Sequence, residues 1–151
     1  MVLYEDSRAG AAAIDLARDL VETANAKITV VGVAPQAASG SRCGGSATEY
    51  NEIVAASVAQ DLEHARKRLG GAAAGAGFVV LVEGADQTLE QFVRAGGFDL
   101  VLLPARRRPL RKPGHPAASE LSRAVGAEIR IVEPASPAQR PRSPRRAGAA
   151  G

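Results

Sequence analysis

Short apolar segments alternate with amphipathic, helix-like segments through residues 1–134, and this alternation restricts the fold more than any other feature of the chain. Two segments, 27–33 and 78–82, are nearly continuous runs of valine and other aliphatic residues, as in strands that are covered on both faces. Between the apolar runs, apolar residues recur at helical spacing. The predicted strands are 1–4, 27–33, 78–82, 98–103 and 127–133, and the helices between them are 9–24, a long segment ending at Gly70, a short one ending at Gly96, and 116–125.

This order of strands and helices predicts an α/β fold. Right-handed crossovers between successive strands make the sheet parallel and place helices on both of its faces, so we expect a three-layer sandwich around a five-stranded parallel sheet. In the last strand, Ile129 and Ile131 alternate with Glu128 and Arg130. Such alternation is typical of a half-exposed strand, and it predicts that this strand lies at an edge of the sheet.

Several local features of the helices can also be predicted. Ser7 and Asp86 are suited to cap the helices that follow them, since short polar side chains accept hydrogen bonds from the first turn. Pro35 is expected to end the second strand. The long helix is expected to bury one stripe of apolar side chains, which consists of Ile53, Val54, Val58, Leu62, Ala65 and Leu69.

Charge is distributed very unevenly along the chain. The formal net charge is +3, yet the loop 106–112 carries five cations and the tail carries four arginines, with no acid in either segment. The remainder has ten cations and sixteen acids, a net charge of 10 − 16 = −6. From Pro134 onward the chain has no large apolar residue, so we predict a domain over 1–134 and a disordered Arg/Pro-rich tail over 135–151.

Composition argues against several classes of function. Three Phe, two Tyr and no Trp leave few rings for stacking on bases, so we do not expect nucleic acid as the main partner, although the basic loop and tail keep electrostatic binding open as an alternative. No apolar run is long enough to span a membrane and no secretory leader is apparent, so we expect a cytoplasmic protein without a membrane partner.

The residues that usually carry catalysis are sparse. One cysteine, Cys43, and two distant histidines, His64 and His115, cannot supply a tetrahedral zinc site, and neither histidine has a partner that the sequence can place. Cys43 is expected to be an exposed, unreactive thiol in the Gly/Ser-rich loop 36–47, and His64 to lie on the exposed side of the long helix. The Walker and Rossmann glycine motifs are also missing from the sequence. We therefore predict no catalytic residues, no metal site and no enzymatic activity.

Four segments together resemble the universal stress protein family across nearly all of residues 1–134. They are Val2-Leu-Tyr-Glu-Asp-Ser7, Ile28-Thr-Val-Val-Gly-Val-Ala-Pro35, Val82-Glu-Gly84 and Phe98-Asp-Leu-Val-Leu-Leu103. The resemblance implies a sheet of strand order 3-2-1-4-5, with its switch point between the first and fourth strands. In nucleotide-binding members, an acid at the position of Asp6 holds the adenosine part, and a residue near Val33 flanks the base.

The resemblance also implies a glycine loop after the fourth strand, and here this chain departs from the family. The family's sequence pattern is Gly, two residues, Gly, nine residues, Gly, and then Ser or Thr. The matching positions in this chain are Pro104, Arg107, Ala117 and Ala118. Prolines fix φ and remove N–H donors, so a backbone cradle for phosphate is not expected. Arg106, Arg107 and Arg108 could instead hold phosphate through their guanidinium groups, or could form a solvated loop paired with acids.

Two functions follow from the resemblance, and the residues leave both open. The first is a stress-response domain without the usual ATP loop, which acts through protein contacts as a homodimer joined at the last strand and needs no cofactor. The second is a module that binds ATP or AMP through Asp6, Val33 and the arginines 106–108. Asp6 has a structural alternative as well, as an acid that caps the first helix.

Overall fold

The computed structural model describes residues 1–36, 46–84, 87–105, 121 and 126–134. Its elements are β1 (Val2–Leu3), α1 (Arg8–Ala24), β2 (Thr29–Pro35), α2 (Ala47–Leu69), a 3₁₀ helix (Gly70–Gly75), β3 (Gly77–Glu83), α3 (Leu89–Gly96), β4 (Leu100–Pro104) and β5 (Glu128–Val132). The predictions for Cys43 and the loop 37–45, for the basic loop with Arg106–Arg108, for most of the helix 116–125 and for the tail fall outside the described residues.

The sheet has five parallel strands in the order β3-β2-β1-β4-β5, which confirms the predicted fold class and strand order. β2 and β3 pair over seven residues, from Thr29 with Gly77 to Pro35 with Glu83. The central strand β1 lies between β2 and β4. β5 is the end strand beside β4, as its alternating pattern predicts.

Two apolar clusters hold the helices on opposite faces of the sheet. On one face, α1 and α2 pack against strand residues that include Tyr4 and Val30. On the other face, α3 and Leu121 pack against strand residues that include Val31 and Val33. Alternation of side chains along each strand produces this division, since neighbouring residues point to opposite faces.

The predicted inward stripe of α2 is wrong at its amino end. Leu62, Ala65 and Leu69 are buried, but Ile53 is 68% exposed. A helix of 23 residues is about 35 Å long, whereas the seven-residue strands beneath it extend about 23 Å, so the first turns of α2 reach past the strands that would cover them.

One further local prediction is confirmed and another needs correction. Pro35 ends β2, as predicted, and it is the last paired residue of the strand, opposite Glu83 of the end strand β3. Thr88, rather than Asp86, caps α3: its hydroxyl accepts from the Gln91 N–H, and the Gln91 side chain accepts from the Thr88 N–H. This reciprocal pair satisfies two donors at once, an advantage that a lone acid two residues earlier would not provide.

α1 and α2 lie side by side and are joined at the surface by a charged contact. The Arg68 guanidinium donates two hydrogen bonds to the Asp15 carboxylate, at 2.9 and 2.6 Å. These bonds raise the pKa of Arg68 above its usual value. The fork geometry fixes the direction of both side chains and so helps to fix α2 beside α1.

Candidate functional site

The candidate site lies at the carboxyl edge of the sheet, next to the switch point between β1 and β4. From β1 the chain crosses to β2 on one side, whereas from β4 it crosses to β5 on the other side. In open parallel sheets, ligands bind in the crevice that this divergence leaves. The turn Glu5–Ser7 after β1 therefore supplies the first candidate residues.

This turn is held tightly against the start of α1. The Ser7 hydroxyl accepts a hydrogen bond from the Gly10 N–H at 3.0 Å, which confirms Ser7 as the cap of α1. A Cβ atom at Gly10 would overlap the carbonyl oxygen of Glu5. Glycine is therefore required for the close approach of the helix to the turn, and this approach fixes the position of the intervening Asp6.

The Asp6 side chain is directed towards α2 and does not cap α1. Its Oδ2 atom lies 3.8 Å from Nδ1 of His64. Asp61, one turn earlier on α2, completes a cluster in which one ligand atom from each residue lies within 4.8 Å of the others. We call Asp6, Asp61 and His64 the β1–α2 cluster.

Burial and charge repulsion together raise the pKa values of two residues at this cluster, Tyr4 and Asp61. Tyr4 is 6% exposed, and its pKa is raised by burial, by the charges of Asp6 and Asp61, and by a hydrogen bond from its hydroxyl to Asp6. The pKa of Asp61 is raised by burial and by the charge of Asp6, while His64 opposes this effect. Two carboxylates thus share a small volume and favour a nearby positive charge.

Within the described residues, Asp6 and Val33, two of the predicted nucleotide-site residues, lie towards different faces of the sheet. Asp6 contacts α2, on the face of the sheet that carries Tyr4, whereas Val33 is buried in the apolar cluster on the α3 face. Pro104 is a buried strand residue paired with Val132. Because the arginines 106–108 fall outside the described residues, their position relative to Asp6 stays a prediction.

His64 has a carboxylate neighbour that the sequence analysis missed. It lies on the exposed side of α2, as predicted, but next to Asp6 and Asp61. The spacing Asp61-x-x-His64 places these two side chains on one helix face, and this local pattern could have been recognised. The proximity of Asp6 depends on how α2 packs on the sheet, which spacing along the chain cannot show.

At the end of β3, on the same edge of the sheet, burial raises the pKa of Glu83. A raised pKa in the folded state means that the ionised form of Glu83 is disfavoured there. The folded state therefore loses stability as the pH rises from the pKa of the unfolded chain, near 4.5, through the higher pKa of the folded state. We expect Glu83→Gln to stabilise the protein at pH 7 by about 0.5 kcal/mol, a value kept small by solvent screening.

Urea unfolding at pH 7 and pH 4 tests this expectation. The advantage of Glu83→Gln over the parent should shrink at the lower pH, where Glu83 is largely protonated in both states. Glu22→Gln, which removes an exposed glutamate of α1, controls for the change in net charge. An advantage of Glu83→Gln that is equal at both pH values would show that burial of the charge is not its cause.

Among the helices in the described ranges, none is both long enough and apolar enough to cross a membrane.

The sequence matches the family model described as the universal stress protein family over residues 1–114. No curated protein matches the chain significantly.

Solved structures share the fold at low sequence identity. A universal stress protein family member from Burkholderia pseudomallei is 19% identical, with a TM-score of 0.65, covering 89% of this chain and 95% of that one. The universal stress protein UspA from Lactobacillus plantarum is 16% identical, with a TM-score of 0.67, covering 87% and 95%. A universal stress protein crystallised in complex with cAMP is 18% identical, with a TM-score of 0.56, covering 88% and 96%.

Proposed function

Because the chain belongs to the universal stress protein family, we propose that it is a regulatory stress-response domain that acts through protein contacts as a homodimer, without the glycine loop of nucleotide-binding members. We further propose that it works in the cytoplasm and has no catalytic activity of its own. The observation that carries the proposal is the outer edge of β5, the end strand of the sheet.

The hydrogen bonds of β5 define which of its backbone groups face outward. The Glu128 N–H donates to the backbone carbonyl of Asp99 at 2.9 Å, and the Val132 carbonyl accepts from the Ala105 N–H at 2.8 Å. Since backbone groups of alternate residues point to opposite sides of a strand, the N–H and C=O groups of Ile129 and Ile131 point away from β4. They form a row of donors and acceptors that a second strand can pair with.

The side chains of β5 also suit a contact between two copies. Ile131 is 56% exposed, which is a large exposure for an isoleucine on a strand. Arg130 and Glu128 form an ion pair at 2.7 Å on the same strand, so their opposite charges are largely balanced. An edge with an exposed apolar residue and no excess of one charge can meet its own copy without repulsion.

The sequence of the fourth-strand loop supports the absence of the ATP loop. The position of the family's first glycine is Pro104, which ends β4 as a buried residue. Proline has no N–H to offer a phosphate and cannot adopt positive φ. Arg107 and Ala117 replace the other two glycines.

Light scattering of the purified protein tests the homodimer. We expect a mass of two chains at high micromolar concentration, falling towards one chain on dilution. A monomer at high micromolar concentration would rule out the homodimer part of the proposal.

The second candidate function is binding of ATP or AMP through Asp6 and the arginines 106–108. It is favoured by the place of Asp6 at the carboxyl end of β1, and by the fold shared with a universal stress protein crystallised with cAMP. Calorimetry with ATP at low salt decides it. Binding that is lost in the double variant Asp6→Ala, Arg107→Ala supports this function, whereas no heat up to millimolar ATP excludes it.

A further inference from the structure

The β1–α2 cluster has the composition and spacing of a metal site. Asp61 and His64 are three residues apart on the rigid helix α2, and Asp6 comes from the turn that Gly10 holds in place. We propose that Asp6, Asp61 and His64 bind a divalent first-row transition metal of the Zn²⁺ or Co²⁺ type. Cysteine and histidine residues alone cannot form a metal site in this sequence, and the fold adds two carboxylates to one of the histidines.

The distances in the cluster are too long for a hydrogen bond and somewhat longer than those between ligands around an ion. His64 Nδ1 and Asp6 Oδ2 are 3.8 Å apart, too far for a direct hydrogen bond. Two ligand atoms at tetrahedral positions around Zn²⁺ stand about 3.3 Å apart, since each bond is about 2.0 Å long. The three ligand atoms lie within 4.8 Å of one another. To reach the zinc spacing, each pair would have to approach by between a few tenths of an ångström and about 1.5 Å.

The side chains can make this adjustment without disturbing the core. The Asp6 and His64 side chains are 62% and 47% exposed, so their rotation meets little packing. Asp61 is partly buried, and its neighbour Leu62 anchors this turn of α2 to the sheet. One fixed and two adjustable ligands are therefore carried by a helix and a tight turn.

The charges of the cluster favour a dication. Asp6 and Asp61 repel one another, and the one imidazole beside them can carry at most a single positive charge against two carboxylates. A bound dication would remove the repulsion and would use the neutral form of His64 as a ligand.

The ligand set indicates the class of metal. An imidazole nitrogen with two carboxylates suits Zn²⁺, Co²⁺ or Ni²⁺, whereas Ca²⁺ and Mg²⁺ take oxygen ligands. Three protein ligands leave at least one coordination position for water or for a donor from another molecule. The proposal assigns metal binding to this site and no reaction.

Titration of the untagged protein with Co²⁺, followed by visible absorption, tests the proposal. We expect saturable binding of one Co²⁺ per chain, and binding at least about 10-fold weaker in His64→Gln and in Asp61→Asn. His115→Gln and Cys43→Ser, which remove the other imidazole and the only thiol, should bind as the parent does. Circular dichroism spectra confirm that each variant is folded.

Three results would overturn the proposal. They are an absence of saturable Co²⁺ binding up to millimolar concentration, equal affinity in His64→Gln and the parent, and loss of binding in His115→Gln or Cys43→Ser. Competition with Zn²⁺ gives a second readout, since Zn²⁺ should displace Co²⁺ and abolish its absorption.

Discussion

Gly10→Ala is expected to destabilise the protein by about 2–4 kcal/mol, although the same change within a helix usually stabilises by up to about 1 kcal/mol. The sign reverses because the added Cβ would overlap the carbonyl oxygen of Glu5 and lie 3.2 Å from its carbonyl carbon. These are backbone atoms, which cannot rotate away as a side chain can. The turn that carries Asp6 would have to move off α1.

Urea unfolding followed by circular dichroism measures this loss. Gly71→Ala is the matched control, because a Cβ at Gly71 meets no atom within 4 Å, and we expect it to be neutral or slightly stabilising. If Gly10→Ala were as stable as the parent, the close approach between α1 and the β1–α1 turn would be incorrect. In that case the position assigned to Asp6 beside α2 would lose its support.

Ile131→Pro is expected to weaken self-association by about 100-fold, which corresponds to about 2.7 kcal/mol. Proline removes the N–H of residue 131, which points to the outer edge, and leaves the hydrogen bonds of Glu128 and Val132 with β4 in place. The change should therefore disrupt pairing between two β5 edges more than it disrupts the sheet itself.

Sedimentation velocity over a range of concentrations measures this effect, with urea unfolding as a check on the fold. Ile131→Val keeps the N–H and most of the apolar surface, so it should associate as the parent does. Ile53→Ala removes an exposed isoleucine of α2 and should also leave association unchanged. A dimer of Ile131→Pro as strong as that of the parent would show that β5 is not the interface.

The sequence predicts the fold well where one local pattern determines the structure. The continuous apolar runs correspond to β2 and β3, and the alternation of Ile129 and Ile131 with charged residues corresponds to the edge strand β5. The strand order followed from the resemblance to the universal stress protein family. The strands themselves are fixed by burial on one or two faces, and burial leaves a clear period in the sequence.

The features that were missed depend on contacts between distant segments. Ile53 has the spacing of a buried residue, but α2 is longer than the strands that it covers. Asp6 and His64 are 58 positions apart and meet because α2 packs on β2 and against α1, next to the turn that follows β1. No pattern within either segment indicates the other, so the β1–α2 cluster could be recognised only after folding.

We infer that this universal stress protein works as a nucleotide-free homodimer. Native mass spectrometry of protein purified without added nucleotide tests it most directly, because one spectrum reports both the number of chains and any retained adenine nucleotide. We expect a species of twice the chain mass without a nucleotide adduct. A monomer at the highest usable concentration, or a dimer that retains one adenine nucleotide per chain, would contradict the claim.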